Sequence, residues 1–149
     1  MTKFLLAVHV IAAIVAIGPV TVAASMFPPA ARRALSAPDD DRAAETQALL
    51  HRICRVYAVV GVVVPVFGFA TASGMHVLGS AWLIASIALT ALAAVVLGAL
   101  VLPAQTALVE GAGSHRSTAR LAMYTGVFNL LWAAVTVLMI VRPGSTTGA

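Results

Sequence analysis

The chain alternates between long apolar runs and short polar intervals. Four runs stand out, 4–26, 56–73, 81–102 and 121–141, of 23, 18, 22 and 21 residues, and none contains Lys, Arg, Asp or Glu. A bilayer core about 30 Å thick is crossed by ~20 helical residues rising 1.5 Å each. Each run therefore has the length of a transmembrane helix, the second only just. Membrane strands would need ~10-residue segments of alternating polarity closed into a barrel, which continuous runs of this length exclude. The pattern predicts an all-α, four-transmembrane-helix bundle forming one integral membrane domain over 1–149. The first run exceeds the roughly 7–15 apolar residues of a secretory signal and is read as a retained helix.

The polar intervals set boundaries and orientation. Phe27-Pro28-Pro29 is expected to stop the first helix, and Leu102-Pro103 to end the third, because proline cannot continue the hydrogen-bond ladder. Within the long connection 27–55, Asp39-Asp40-Asp41 looks like a helix start, with carboxylates at the positive end of the dipole. Leu49, Leu50, Ile53 and Val56 continue at helical spacing. Gly111-Ala112-Gly113-Ser114 marks a flexible end to the third connection. Arg32, Arg33, Arg42, Arg52 and Arg55 lie in the first connection, and Arg116 and Arg120 in the third. Lys3 and Arg142 sit on the tails, and the middle connection 74–80 has no basic residue. Basic residues favour the cytoplasmic side, which places connections one and three inside and both termini on the extracytoplasmic side. The second and fourth spans both open with Arg and Tyr (Arg55/Tyr57 and Arg120/Tyr124), a faint repeat suggesting two parallel hairpins.

Composition sharpens this. With 61% hydrophobic and 9% charged residues, the chain has too little polar surface to cover a water-soluble globule. The pI near 10.2 would suit nucleic acid, but the basic residues only flank apolar runs, as membrane topology requires, and no nucleic-acid partner is expected. Cys54 is the single cysteine, so neither an intrachain disulfide nor a cysteine metal knuckle can form.

In lipid, small residues that allow close backbone approach mark helix interfaces. The second span carries Ala58, Gly61, Pro65, Gly68 and Ala72 at spacings of three or four, a stripe that should face the bundle, with a kink at Pro65. Ala12, Ala13 and Ala16 share a side with His9, and Ser86 and Thr90 share a face of the third span. Ala122, Thr125, Asn129, Trp132 and Thr136 form a polar and aromatic seam on the fourth. Asn129 and Trp132 lie deep enough to need partners inside the bundle, whereas Trp82 fits the outer interfacial belt.

His9 is the one ionisable residue within a run, and such groups are functional candidates. His76, beside Met75 in the middle connection, lies towards the same face. Imidazole with thioether suits copper, and facing imidazoles suit a b-type haem. Against these stands a purely structural histidine hydrogen-bonded across the bundle, so the expectation is no cofactor, with haem b or copper as the open alternative. His51 and His115 are expected to be solvated at the cytoplasmic face. Paired carboxylates, a phosphate-binding glycine loop and a zinc signature are absent, and enzyme catalysis is not expected.

The opening Phe4-Leu5-Leu6-Ala7-Val8-His9-Val10-Ile11-Ala12-Ala13 and the close Val137-Leu138-Met139-Ile140-Val141-Arg142-Pro143-Gly144 resemble the ends of an uncharacterised bacterial family of predicted four-helix integral membrane proteins. A more distant similarity is to copper-resistance D-type membrane domains, whose helices begin with a histidine placed like His9. Here Ala-Ile-Val-Ala-Ile-Gly-Pro replaces the glycine-rich, tryptophan-containing stretch that follows it there. These resemblances imply the four-helix architecture and leave activity open. The leading expectation is a non-enzymatic accessory or scaffold component of a membrane assembly, partnered by lipid and by itself or a larger complex. The alternatives are a haem- or copper-binding redox or copper-handling protein using His9 and His76, and a small oligomeric transporter. The Ala/Val-rich, lysine-poor composition suggests a bacterium with a GC-rich genome, and the expected location is the bacterial cytoplasmic (inner) membrane.

Overall fold

In the computed structural model residues 1–144 are described, and among them the chain is all-helical, with no strand. The elements are α1 (Thr2–Ser36), α2 (Asp41–Val60), α3 (Val63–Gly74), α4 (Ala81–Val95), a π-helical segment (Val96–Val101), α5 (Leu102–Val109) and α6 (His115–Val141). They compose four long helices, Thr2–Ser36, Asp41–Gly74, Ala81–Val109 and His115–Val141, each long and apolar enough to cross a membrane. The start of α1, the end of α6 and the connection 75–80 lie at one end of the bundle, the termini end; connections 37–40 and 110–114 lie at the far end.

The helices outrun the apolar runs, which corrects the expected stops. At 35 residues, α1 is ~52 Å long at 1.5 Å per residue, and it passes straight through Pro28 and Pro29. An interior proline costs about 3 kcal/mol, but Phe27, Pro28, Ala30 and Ala31 are all buried in the main core, and that burial offsets the loss. The third helix also continues past Pro103, by another device. Pro103 would collide with the carbonyl of Ala99, and the wider π turn over Val96–Val101 relieves the clash while keeping Val96, Leu97 and Val101 buried. The expected connection 27–55 is therefore mostly helix, and only 37–40 is not.

The helix start expected at the aspartates holds: Asp40 caps α2, accepting from the Arg42 amide at 3.0 Å. The second long helix is interrupted one turn before Pro65, at Gly61–Val62, where the expectation was a kink at Pro65 itself. Pro65 has no N–H for the Gly61 carbonyl, and the Val64 amide takes that carbonyl instead, at 3.1 Å. Ser114 and Ser117 form a reciprocal capping box that starts α6.

The helices pair as two hairpins. α2 and α3 pack on α1, and α4 and the π segment pack on α6. The hairpins meet along two seams, α1 against α6 and α2 against α5. One large apolar cluster, centred on Val20, Phe27, Cys54, Val101, Leu121 and Phe128, runs through the middle and far end. A small cluster of Ala72, Trp82 and Leu83 closes the termini end. There Arg142 lies over the Trp82 ring at 5.4 Å, so Trp82 is a buried anchor at the interface.

Candidate functional site

His9 sits half-buried where α1 crosses α3. Its Nδ1 donates to the Val64 carbonyl at 2.8 Å, and a Cβ on Gly68 would stand 2.8 Å from His9 Cε1. Glycine at 68 is thus the space into which the imidazole fits, which explains that part of the small-residue stripe. Of the rest, Ala72 is buried, Gly61 is half-buried, and Pro65 points outward. Thr2 meets Gly74 as His9 meets Gly68, so α1 and α3 run antiparallel in register. His76 follows Gly74 by two residues, is exposed, and adopts φ 59°. It lies beyond the level of Thr2, seven residues or ~10 Å of helix from His9. The structure places the two histidines at different depths.

The seam expected on α6 is rotated. Its buried residues are Thr118, Leu121, Thr125, Phe128 and Val135. Of the expected set only Thr125 is buried; Asn129 and Trp132 are half-buried, and Thr136 is exposed, bonding back to the Trp132 carbonyl at 3.0 Å. Thr136 satisfies its hydroxyl within its own helix and needs no bundle partner, so it can face lipid. Ser86 and Thr90 bond in the same way to Trp82 and Ser86 carbonyls.

Two polar assemblies occupy the far end, one at each seam. In the first, between α2 and α5, His51 is only 8% exposed, against the expectation that it is solvated. Its Nδ1 faces Gln105 Oε1 at 2.9 Å and its Nε2 faces Thr106 Oγ1 at 3.3 Å. Gln105 is fully buried and its Nε2 donates to Cys54 Sγ at 3.5 Å. The same Thr106 hydroxyl lies 3.0 Å from the Leu102 carbonyl, and the Phe27 ring lies edge-on to His51 at 6.4 Å. Both imidazole nitrogens are engaged and the thiol is enclosed, so this network works as a strut tying α2 to α5. Beside it an open groove of about 460 Å³ is lined by His51, Arg55, Gly98, Pro103, Thr106 and Glu110.

The second assembly lies between α1 and α6. Asn129 Nδ2 donates to Ser25 Oγ at 3.2 Å, while Asn129 Oδ1 and Thr125 Oγ1 are buried without a partner. Two turns towards the far end, Arg32 Nε donates to Thr118 Oγ1 at 3.3 Å, and Thr118 donates to the His115 carbonyl. Small residues at Ala122 and Gly126, facing Pro28 and Pro29, leave a groove of about 270 Å³ between them.

Gln105, Cys54 and Ser25 were not singled out from the sequence. Ala43, Gln47, Leu50 and Cys54 recur at helical spacing, as do Val101, Gln105 and Leu108, and all are buried. That period was readable, but the assumption that Pro103 ends a helix hid the second half. Among the described residues no group of three or more His, Cys, Asp or Glu is placed to hold a metal ion. Compared with known proteins, the chain matches no family model, no curated protein and no solved structure. What the findings define is a class: a helical bundle with four candidate membrane-spanning helices, consistent with a multi-pass membrane protein.

Proposed function

We propose that this protein is a non-enzymatic component of a bacterial cytoplasmic-membrane assembly, acting through helix contacts with itself or a larger complex, with both termini extracytoplasmic. The observation that supports it most is how little of each span the bundle covers. In the most apolar window of each long helix, 11%, 11%, 28% and 17% of residues are buried inside the fold. Val59, Val62, Val66 and Phe69 present a continuous outward face on α2 and α3, and lipid or partner helices must cover it. His51 and Gln105, the largest of the buried polar groups joined across helices, tie one helix to another, which suits a scaffold better than a reaction centre. The arginine bias of connections one and three supports the orientation. Mass measurement in detergent after mild solubilisation tests the role. A stable oligomer or a stoichiometric co-purifying protein is expected, and a lone monomer under all mild conditions refutes it.

One observation favours a second reading. The Val64 carbonyl fixes the hydrogen of His9 on Nδ1 and leaves the Nε2 lone pair free, the arrangement that orients metal- and haem-binding imidazoles. An absorption spectrum with metal analysis of wild type and His9→Ala decides it. A Soret band or stoichiometric copper lost in the variant supports the ligand role; neither signal in wild type removes it.

A further inference from the structure

The groove between α1 and α6 opens outward, since Ser25, Pro29 and Arg32 on its α1 wall are exposed. In a membrane-spanning chain that side faces lipid. Yet its floor is polar: Thr125 is 97% buried, being 3% exposed, and its hydroxyl has no partner, nor has the Asn129 amide oxygen. Acyl chains filling the groove would leave both in hydrocarbon with nothing to bond, which is costly. The prolines add to the demand, because Pro28 and Pro29 cannot donate to the Ala24 and Ser25 carbonyls one turn back. Turning the Asn129 amide, an assignment that rests on the network alone, lets Ser25 serve the oxygen but then leaves the NH2 unpaired. Either way the groove retains an unpaired amide atom beside a free hydroxyl.

At the mouth, towards the interface, stands a guanidinium held by its Nε on Thr118. Arg32 is exposed, and a guanidinium held through Nε alone has its outer pair of N–H groups left for phosphate. Cation at the interface, then a hydroxyl two turns deeper, then apolar helix surface: this is the order of groups along a glycerophospholipid.

We infer that the groove binds a glycerophospholipid, with its phosphate on Arg32 and a glycerol ester oxygen accepting from the Thr125 hydroxyl. The inference needs the chain to lie in a bilayer but not the assembly role, so a monomeric mass leaves it standing. The test uses full-length protein stripped of lipid in detergent, titrated with phosphatidylglycerol and read by native mass spectrometry. One lipid should bind tightly. Arg32→Gln, and separately Thr125→Val, should each weaken it roughly tenfold, while Arg33→Gln, away from the groove, leaves it unchanged. Thr125→Val keeps the side-chain shape, and helical circular dichroism confirms that each variant is folded. Equal loss in Arg33→Gln would reduce the effect to general charge attraction and overturn the site. Displacement by excess glycerol 3-phosphate would assign the groove to a free phosphate ester and overturn the lipid. An altered oligomeric mass in Thr125→Val, with lipid binding intact, would mean that a second copy fills the groove and would overturn the lipid.

Discussion

Where α2 meets α5, His51, Gln105, Cys54 and Thr106 each find a partner in the chain itself. Where α1 meets α6 at a similar depth, Thr125 and Asn129 are left with unanswered oxygens. The difference follows from what lies outside each seam. Gln105 and Cys54 are wholly enclosed, and nothing from the surroundings can reach them, so the fold must satisfy them internally. The α1–α6 groove opens outward, and Thr125 and Asn129 line it. One seam holds the bundle together, and the other offers a place to bind.

The sharpest way to break this contrast is Gln105→Ala. It leaves His51 Nδ1 without its acceptor in a buried site and opens a cavity behind it, so we expect a loss of about 3 kcal/mol. Reversible unfolding in mixed micelles measures it; a loss below about 1 kcal/mol would mean that the network is not a strut. Gln105→Leu keeps most of the volume and isolates the hydrogen-bonding share.

Thr125→Val should behave in the opposite sense. Removing an unpaired buried hydroxyl while keeping the shape is neutral or stabilising, here by up to about 1 kcal/mol in lipid-free detergent. Added phosphatidylglycerol should then stabilise wild type more than the variant, reversing the order. If the variant is the less stable even without lipid, its hydroxyl has an internal partner and the two seams do not differ.

How much of this was readable beforehand divides along physical lines. The four spans follow from hydrocarbon length and the absence of charge, which depend on no neighbour. The Asp40 cap lies on local spacing and was legible as a helix start, whereas Gly68 was legible only as part of a small-residue stripe, because the His9 ring that fills its space comes from another helix. The prolines were misread because the cost of a proline is local, whereas the burial of Phe27 and Val101 that outweighs it is tertiary. The same error placed His51 in solvent: without helix beyond Pro103 there is no Gln105 to meet it. Rotation of α6 escaped because a threonine that bonds its own backbone, such as Thr136, looks in sequence like one that needs the bundle.

Thr118→Val probes the link between holding and binding most gently. Thr118 belongs to the buried face of α6, and its hydroxyl already has a local acceptor in the His115 carbonyl. Losing the Arg32 contact should therefore cost only the ~0.6 kcal/mol typical of an interhelical hydrogen bond in a membrane protein. The guanidinium keeps its charge but loses the contact that aims it. Phosphatidylglycerol affinity should then fall by a factor of roughly two to four, well short of the loss in Arg32→Gln, because attraction survives while geometry does not. A fall as large as that of Arg32→Gln would make Thr118 itself part of the binding surface. No change would mean that Arg32 finds phosphate without guidance, and that charge at the mouth, with no fixed arm, is what the groove supplies.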